Sequence, residues 1–435
     1  MKREFETIVK SYNDRELNDK VDHLFEKMKD NELNFSDKIS GLKIKQGKKV
    51  RRVLEIERKS LEEISLKYLK TKLDINFNID YPNRKKIMNQ CFSTIETITK
   101  FSDFVIYKFD FKDFFESVSS LEVFNKYIRY SSLYRYEKDI LETLFTKYCK
   151  CYAGLPTSNV LIELISREYD RILQSKLCDR GLLFYSRYVD DVLLIFNQYI
   201  SQNELKSIVQ DTIKEIFTDS DLNINEQKET YICKSNHKSK CFTYLGYEFK
   251  YISNNKKFYF EYGIDIEKIK KYKKKFAAII QDYKTDNNTE LFRQRLLFLS
   301  SRVVFYNNSK NDYKRNVNWD AIGIIENYRE ISNFIQDKEK KISRRTKFFL
   351  NKEIIVMIQQ ELPSLPYFLK KRNHSYLLEN RMRKKKSIIF HPNIGWTKEH
   401  LIIQIKKIDP SFITHKLSYR KLVTQYCKLL KIKKS

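Results

Sequence analysis

Glycine and proline are scarce in this chain of 435 residues, numbering 8 and 6. So few backbone breakers argue against long flexible linkers. Neither an internal repeat nor a low-complexity block is visible beyond clusters of lysine. No apolar run approaches the roughly 18 residues that cross a bilayer, so no membrane association is expected. The opening stretch MKREFETIVKSYNDRELNDK lacks an apolar core, which predicts no secretory leader. The 7 cysteines are odd in number and scattered, a poor basis for a disulfide framework. The expectation is a cytoplasmic protein with reduced thiols. Cys233, His237 and Cys241 recur at every fourth position. They have no clear fourth ligand, so a zinc site is not expected.

What is abundant is aromatic and basic. The chain carries 30 Phe and 29 Tyr, and 41% of its residues are hydrophobic. That is ample for a real core, and the length suits roughly two to four domains. Lys plus Arg reach 84 against 56 acidic residues, a net charge of +28. Residues 341–435 hold 23 Lys/Arg and only 5 Asp/Glu, so +18 of that charge sits in the last segment. Charge of this size, concentrated in this way, points to a polyanionic partner.

Local patterns give a coarse order. Residues 1–35 read as polar helices, and LKIKQGKKVRRVLEI (42–56) as a hairpin with basic arms. Ser60 followed by Glu63 signals a helix start. FVIYKFDF (104–111) reads as a strand in which Asp110 shares a face with Lys108 and Ile106. VLIELISREYDRIL and ELKSIVQDTIKEIF have apolar residues at helical spacing, and CFTYLGYEFKYI and KKFYFEYGI read as strands. Helices on an antiparallel sheet make an α+β fold. After Ile264 the pattern is almost wholly helical and increasingly basic.

The stretch FYSRYVDDVLLIF (184–196) is two apolar strands joined at Asp190 and Asp191. Two carboxylates beside buried strands are unfavourable unless compensated. With Asp110 as a third carboxylate on a neighbouring strand, they would form an all-oxygen site of the kind Mg²⁺ takes, its shell completed by water and substrate phosphates. Two such ions can activate a 3′-hydroxyl and stabilise departing pyrophosphate.

These residues carry a resemblance. KFDFKDFFES (108–117), AGLPTSNVLIELISREYDRIL (153–173), RYVDD (187–191), LNINEQKET (222–230) and FTYLGYEF (242–249) resemble, in order, five motifs of prokaryotic reverse transcriptases of the retron and group II intron kind. The combination is most similar to the abortive-infection and unknown-group enzymes linked to phage defence. The resemblance covers about 40–265 and departs from retron enzymes in lacking their Asn-Ala-x-x-His and Val-Thr-Gly elements. It implies a right-hand polymerase: N-terminal helices and fingers (1–100), an RRM-like antiparallel palm (101–262), a helical thumb (263–340) and a basic helical region (341–435) that binds RNA. It implies that Asp110 and Asp190 bridge two Mg²⁺ ions, for which Mn²⁺ can substitute, with Asp191 contributing less directly. Phe115 would exclude a 2′-hydroxyl. Gly154, Leu155 and Pro156 would let the backbone approach the nascent base pair. Lys228 would protonate pyrophosphate, and Leu245 and Gly246 would position the primer. One or two of Lys48, Lys49, Arg51, Arg52 and Arg84 would meet the triphosphate.

The implied function is RNA-directed DNA synthesis from dNTPs in antiphage defence. A structured non-coding RNA would be the template and DNA the product. A homo-oligomer or partner protein is compatible with that reading. Template-independent or protein-primed DNA synthesis, a DNA-templated polymerase or primase, and a non-catalytic RNA-binding scaffold remain alternatives. KISRRTKFF (341–349) and RMRKKKSIIF (381–390) interleave cations with aromatic and apolar residues, a mix suited to RNA.

Overall fold

The computed structural model describes residues 2–12, 14–46, 49–234, 240–254, 257–306, 319–336, 342–370, 377–413 and 417–431. The chain divides into two compact units, Met1–Asn236 and His237–Ser435. Helix and sheet are mixed in both.

The first unit begins with short helices (Lys2–Ser11, Arg15–Asp19, Val21–Lys29 and Phe35–Lys38). The basic hairpin follows as β1 (Ile39–Gln46) and β2 (Lys49–Ile56), paired antiparallel along their whole length. Ser60 caps the helix Leu61–Asn76 by accepting the Glu63 N–H at 3.1 Å. The central sheet contains β3 (Val105–Asp110), β4 (Leu182–Tyr188), β5 (Asp191–Phe196) and β6 (Thr230–Cys233) in the order β4-β5-β3-β6, with every neighbour antiparallel.

All six residues of β3 are buried. An aromatic row runs along its odd face: Tyr107, Phe109 and, just past the strand, Phe111 lie at centroid spacings of 5.4 and 5.7 Å, and Phe111 stacks on Phe114 at 4.8 Å. Aromatic contacts of this geometry add to the area they bury. The row belongs to a core that also takes in the helix Ser158–Cys178 through Val160, Leu161, Leu164, Ile165 and Tyr169. A rigid, packed layer therefore lies beneath the even-numbered face that bears Lys108 and Asp110.

In the second unit, β7 (Lys240–Tyr244), β8 (Tyr247–Asn254) and β9 (Lys257–Ile264) form an antiparallel sheet. CFTYLGYEFKYI is not one strand. Leu245 and Gly246 both have positive φ, 46° and 87°, and make the two-residue turn of the β7–β8 hairpin. The expectation of almost wholly helical structure after Ile264 is also corrected. Long helices do follow, Ile266–Asp286 and Thr289–Leu299. However, β10 (Arg302–Tyr306) pairs antiparallel with β11 (Trp319–Ile322) and parallel with β12 (Ser387–Phe390). Residues 387–390 of the basic RMRKKKSIIF segment are thus a strand. Four apolar or small residues beside a run of cations are too short for periodicity to reveal, and their partner is remote in sequence. Val303, Ile388 and Phe390 from this sheet share a core with Leu401, Ile405, Leu422 and Tyr426 of the last two helices, Lys398–Ile408 and Tyr419–Leu429.

Cys233 ends β6 and Cys241 lies in β7, so they do not share a helical face; His237 lies outside the described residues. Among the described residues no helix is long and apolar enough to cross a membrane.

Candidate active site

Three carboxylates meet at one end of the central sheet. Antiparallel register sets Asp110, the last residue of β3, directly opposite Asp191, the first of β5. Asp190 lies with Val189 in the two-residue turn between β4 and β5. The Phe111 N–H donates to the Asp190 carbonyl at 3.1 Å, so the chain leaving β3 is tied to that turn.

Asp110 is 1% exposed, and its Oδ1 is buried with no hydrogen-bond partner. Its Oδ2 accepts from the Lys228 ammonium. Lys228 is placed by backbone pairing: Asn225 N–H donates to the Asp110 carbonyl at 2.8 Å, and Lys112 N–H to the Asn223 carbonyl at 2.9 Å. Burial lowers the Lys228 pKa, but the Asp110 hydrogen bond and the charges of Asp110, Asp190 and Asp191 outweigh it and raise the pKa above its ordinary value. For Asp190, burial and then the negative charges of Asp191 and Asp110 push the pKa up, against Lys228. Asp191 has its own counter-ion, Lys108, whose Nζ is 3.0 Å from Asp191 Oδ1 and whose side chain is 9% exposed. Lys108 lies diagonally across the β3–β5 ladder from Asp191, within reach for a long side chain.

The cations therefore hold the carboxylates apart in function. Lys108 neutralises Asp191, and Lys228 takes one oxygen of Asp110. Among the described residues no three His, Cys, Asp or Glu side chains are gathered closely enough to hold a metal ion as they stand. An orphaned, buried carboxylate oxygen on Asp110 and an Asp190 that resists ionisation among its neighbours are what an added divalent cation would relieve.

A second cluster forms around Gly154. Its φ is +105°, and a Cβ there would lie 2.1 Å from the Leu54 carbonyl oxygen. No residue but glycine combines that φ with so close a backbone. Leu54 N–H donates to the Ala153 carbonyl at 2.9 Å, so β2 runs against the Gly154 loop. Leu155 is buried and Pro156 half-buried beside it. Phe115, in the single helical turn Phe114–Ser117, is half-buried, and the adjacent Glu116 accepts the Arg52 N–H at 3.2 Å. The Arg52 guanidinium lies over the Tyr152 ring, 5.1 Å from its centroid.

Of the basic candidates, Arg52 is the one with described contacts at this cluster. Lys48 lies outside the described residues, as do the side chains of Lys49 and Arg51. Arg84 opens the helix Arg84–Ile98, which packs on β4. Leu245 and Gly246 belong to the second unit.

From the sequence, Lys108, Glu116, Tyr152 and Arg187 were given no role at the site. Only Lys108 left a signal, as a lone cation in an otherwise apolar strand, two residues before Asp110.

Comparison with known proteins adds the following. The family described as reverse transcriptase (RNA-dependent DNA polymerase) matches residues 13–249, more than half of the chain. Retron Ec73 reverse transcriptase of Escherichia coli is 29% identical over 131 residues, covering 28% of this chain. The chain thus spans less than half of that relative, 42% of its length. Among solved structures, apo telomerase from Candida tropicalis aligns at TM-score 0.38 and 13% identity, over 89% of this chain and 67% of that one. Telomerase from Candida albicans in complex with a fragment of telomeric RNA aligns at TM-score 0.36 and 12% identity, over 93% and 68%.

Proposed function

The chain belongs to the reverse transcriptase family, and from that membership we propose that it is an RNA-directed DNA polymerase joining dNTPs on a dedicated structured RNA. The observation that carries this reading is the pairing of Asp110 with Asp191 beside the Asp190 turn, with one buried Asp110 oxygen left without a donor. In this reading residues 1–100 form the N-terminal helices and fingers, 101–262 the palm, 263–340 the thumb and 341–435 an RNA-binding region.

Asp110 and Asp190 are the residues to hold divalent cations, Mg²⁺ or Mn²⁺. Bound there, such ions would supply Lewis acidity to the attacking 3′-hydroxyl and charge to the leaving pyrophosphate. Asp191, paired with Lys108, adds negative potential without giving up its counter-ion. Lys228 shields Asp110 while no substrate is bound and, being protonated, can give a proton to pyrophosphate. Phe115, half-buried in the turn Phe114–Ser117, is the residue to exclude a ribose 2′-hydroxyl. Arg52 offers a guanidinium, oriented by Tyr152 and by Glu116 on its backbone, to the triphosphate. The glycine at 154 lets β2 press on the loop at Leu54, and the backbone of Gly154, Leu155 and Pro156 is the part of that loop to approach an incoming base pair.

The basic balance of residues 341–435 supports an RNA partner there, and the resemblance to abortive-infection enzymes supports a role in phage defence. The test is to sequence the nucleic acids that co-purify with the active chain and with Asp190→Ala. One RNA species in both, and complementary DNA only with the unmodified chain, is expected. No RNA in either preparation, and no DNA that depends on Asp190, contradicts the reading.

A further inference from the structure

Arg187 lies in β4, three residues before Asp190, and its side chain is only 4% exposed. A guanidinium has five N–H donors in a rigid fork, and a buried unused donor is costly. Here every donor has an acceptor. Nε meets Asp170 at 2.9 Å; Nη2 meets Glu163 at 2.7 Å and Asp170 at 3.0 Å; Nη1 meets Glu163 at 3.3 Å. The remaining Nη1 donor goes to the Val189 carbonyl at 3.1 Å. Glu163 and Asp170 both project from the helix Ser158–Cys178, and Tyr185 also donates to Asp170, at 2.5 Å.

Val189 has φ +59°. That is unfavourable for any residue with a Cβ, more so for a β-branched one. Glycine normally fills such a hairpin position. A strained residue persists where its surroundings over-determine it. Two bonds do so here: Arg187 on the Val189 carbonyl and the Phe111 N–H on the Asp190 carbonyl.

We propose that Arg187 is a positioning residue: anchored on the helix Ser158–Cys178 through Glu163 and Asp170, it holds Val189 in its left-handed conformation and so aims Asp190 at the site it shares with Asp110. This rests on the reading of Asp190 as a metal-holding carboxylate. An ordinary salt-bridge network would tie helix to strand through the carboxylates alone. The donor directed at the turn backbone is what links this network to the reaction.

The test is a double-mutant cycle of Arg187→Lys and Val189→Gly in the full chain. It is read by Mn²⁺ binding in electron paramagnetic resonance without nucleotide, and by hydrogen exchange at the Phe111 amide. Lysine keeps the charge between the carboxylates but cannot also reach the turn. Glycine adopts positive φ without strain and so removes the need for Arg187. Arg187→Lys is expected to weaken Mn²⁺ binding about tenfold, the scale of one charge-assisted hydrogen bond, and to speed Phe111 exchange similarly. In the Val189→Gly background the same change should weaken binding by about threefold or less. Equal losses in the two backgrounds, or an Mn²⁺ affinity indifferent to Arg187→Lys, overturn the proposal. Should Arg187→Lys fail to fold, Asp170→Asn loosens the anchor while leaving Arg187 in place. A smaller loss in the same direction is then expected, and an unchanged affinity overturns the proposal. The two readings fail separately. If Asp190→Ala binds Mn²⁺ as tightly as the unmodified chain, the metal site itself is wrong. If Asp190→Ala weakens binding and Arg187→Lys does not, only the role of Arg187 falls.

Discussion

Lys108 and Asp191 form a 3.0 Å ion pair across the central β3–β5 ladder, with the lysine side chain 9% and the aspartate 33% exposed. A cation this deep in a sheet neutralises the carboxylate set opposite Asp110. Removing one partner leaves the other as a poorly solvated charge. Lys108→Met should therefore destabilise the chain by on the order of 2 kcal/mol, and adding Asp191→Asn should return part of the loss. Urea unfolding of the two single variants and the double variant measures the coupling. Strictly additive effects would show that the pair is incidental.

Gly154→Ala probes the contact between the hairpin and the loop. A Cβ 2.1 Å from the Leu54 carbonyl cannot be accommodated unless β2 moves. With β2 would go Arg52 and its place over Tyr152. The dNTP KM should rise at least about tenfold, with about 1–3 kcal/mol of stability lost to backbone strain. Steady-state kinetics on folded protein decides it, and an unchanged KM would separate the hairpin from nucleotide binding.

Lys228→Ala should split binding from turnover. The variant lacks the ammonium that competes for Asp110 Oδ2. Mn²⁺ should then bind more tightly in the absence of nucleotide, while kcat falls by roughly 10²-fold, the usual scale for one general acid. Weaker Mn²⁺ binding in Lys228→Ala would mean that the lysine supports the cation site rather than shielding it.

Glu122 gives a pH signature away from the site. Its buried carboxylate accepts from Lys126 at 2.7 Å, the Thr218 N–H at 2.8 Å and the Ser220 hydroxyl at 2.6 Å. Burial raises its pKa, but the bonds from Lys126 and Ser220 outweigh burial and hold it below the ordinary carboxylate value. A pKa depressed by folding contributes stability above the unfolded value near 4.3, and that contribution fades as pH falls through the folded value. Glu122→Gln should thus cost about 1–3 kcal/mol at pH 7, and the gap to the unmodified chain should narrow in acid below about pH 4. A gap that does not change with pH would show that the charge is irrelevant.

Local chemistry was legible in the sequence wherever one strand or turn carried it. The apolar runs around Asp190-Asp191 foretold β4, the turn and β5. The alternation in FVIYKFDF foretold Asp110 and Lys108 on one face, and Ser60 caps its helix as its spacing implied. What stayed hidden is non-local. Nothing near Gly154 announces that Leu54 presses on it, and nothing near Arg187 names Glu163 and Asp170. The parallel pairing of Arg302 with Ser387 joins short segments far apart in the chain. The Leu245-Gly246 turn was missed for another reason: a leucine at positive φ is uncommon, so the apolar run reads as one continuous strand.

The central claim is that Asp110 and Asp190 form the site of DNA synthesis on RNA. The most direct measurement is primer extension on a defined RNA template with dNTPs and Mg²⁺, comparing the unmodified chain with Asp110→Ala and Asp190→Ala variants whose folding is verified by thermal melting. The account predicts extension by the unmodified chain and a loss of at least about 10³-fold in each variant, the scale of removing a group the transition state requires. Extension at the unmodified rate by both variants would contradict it.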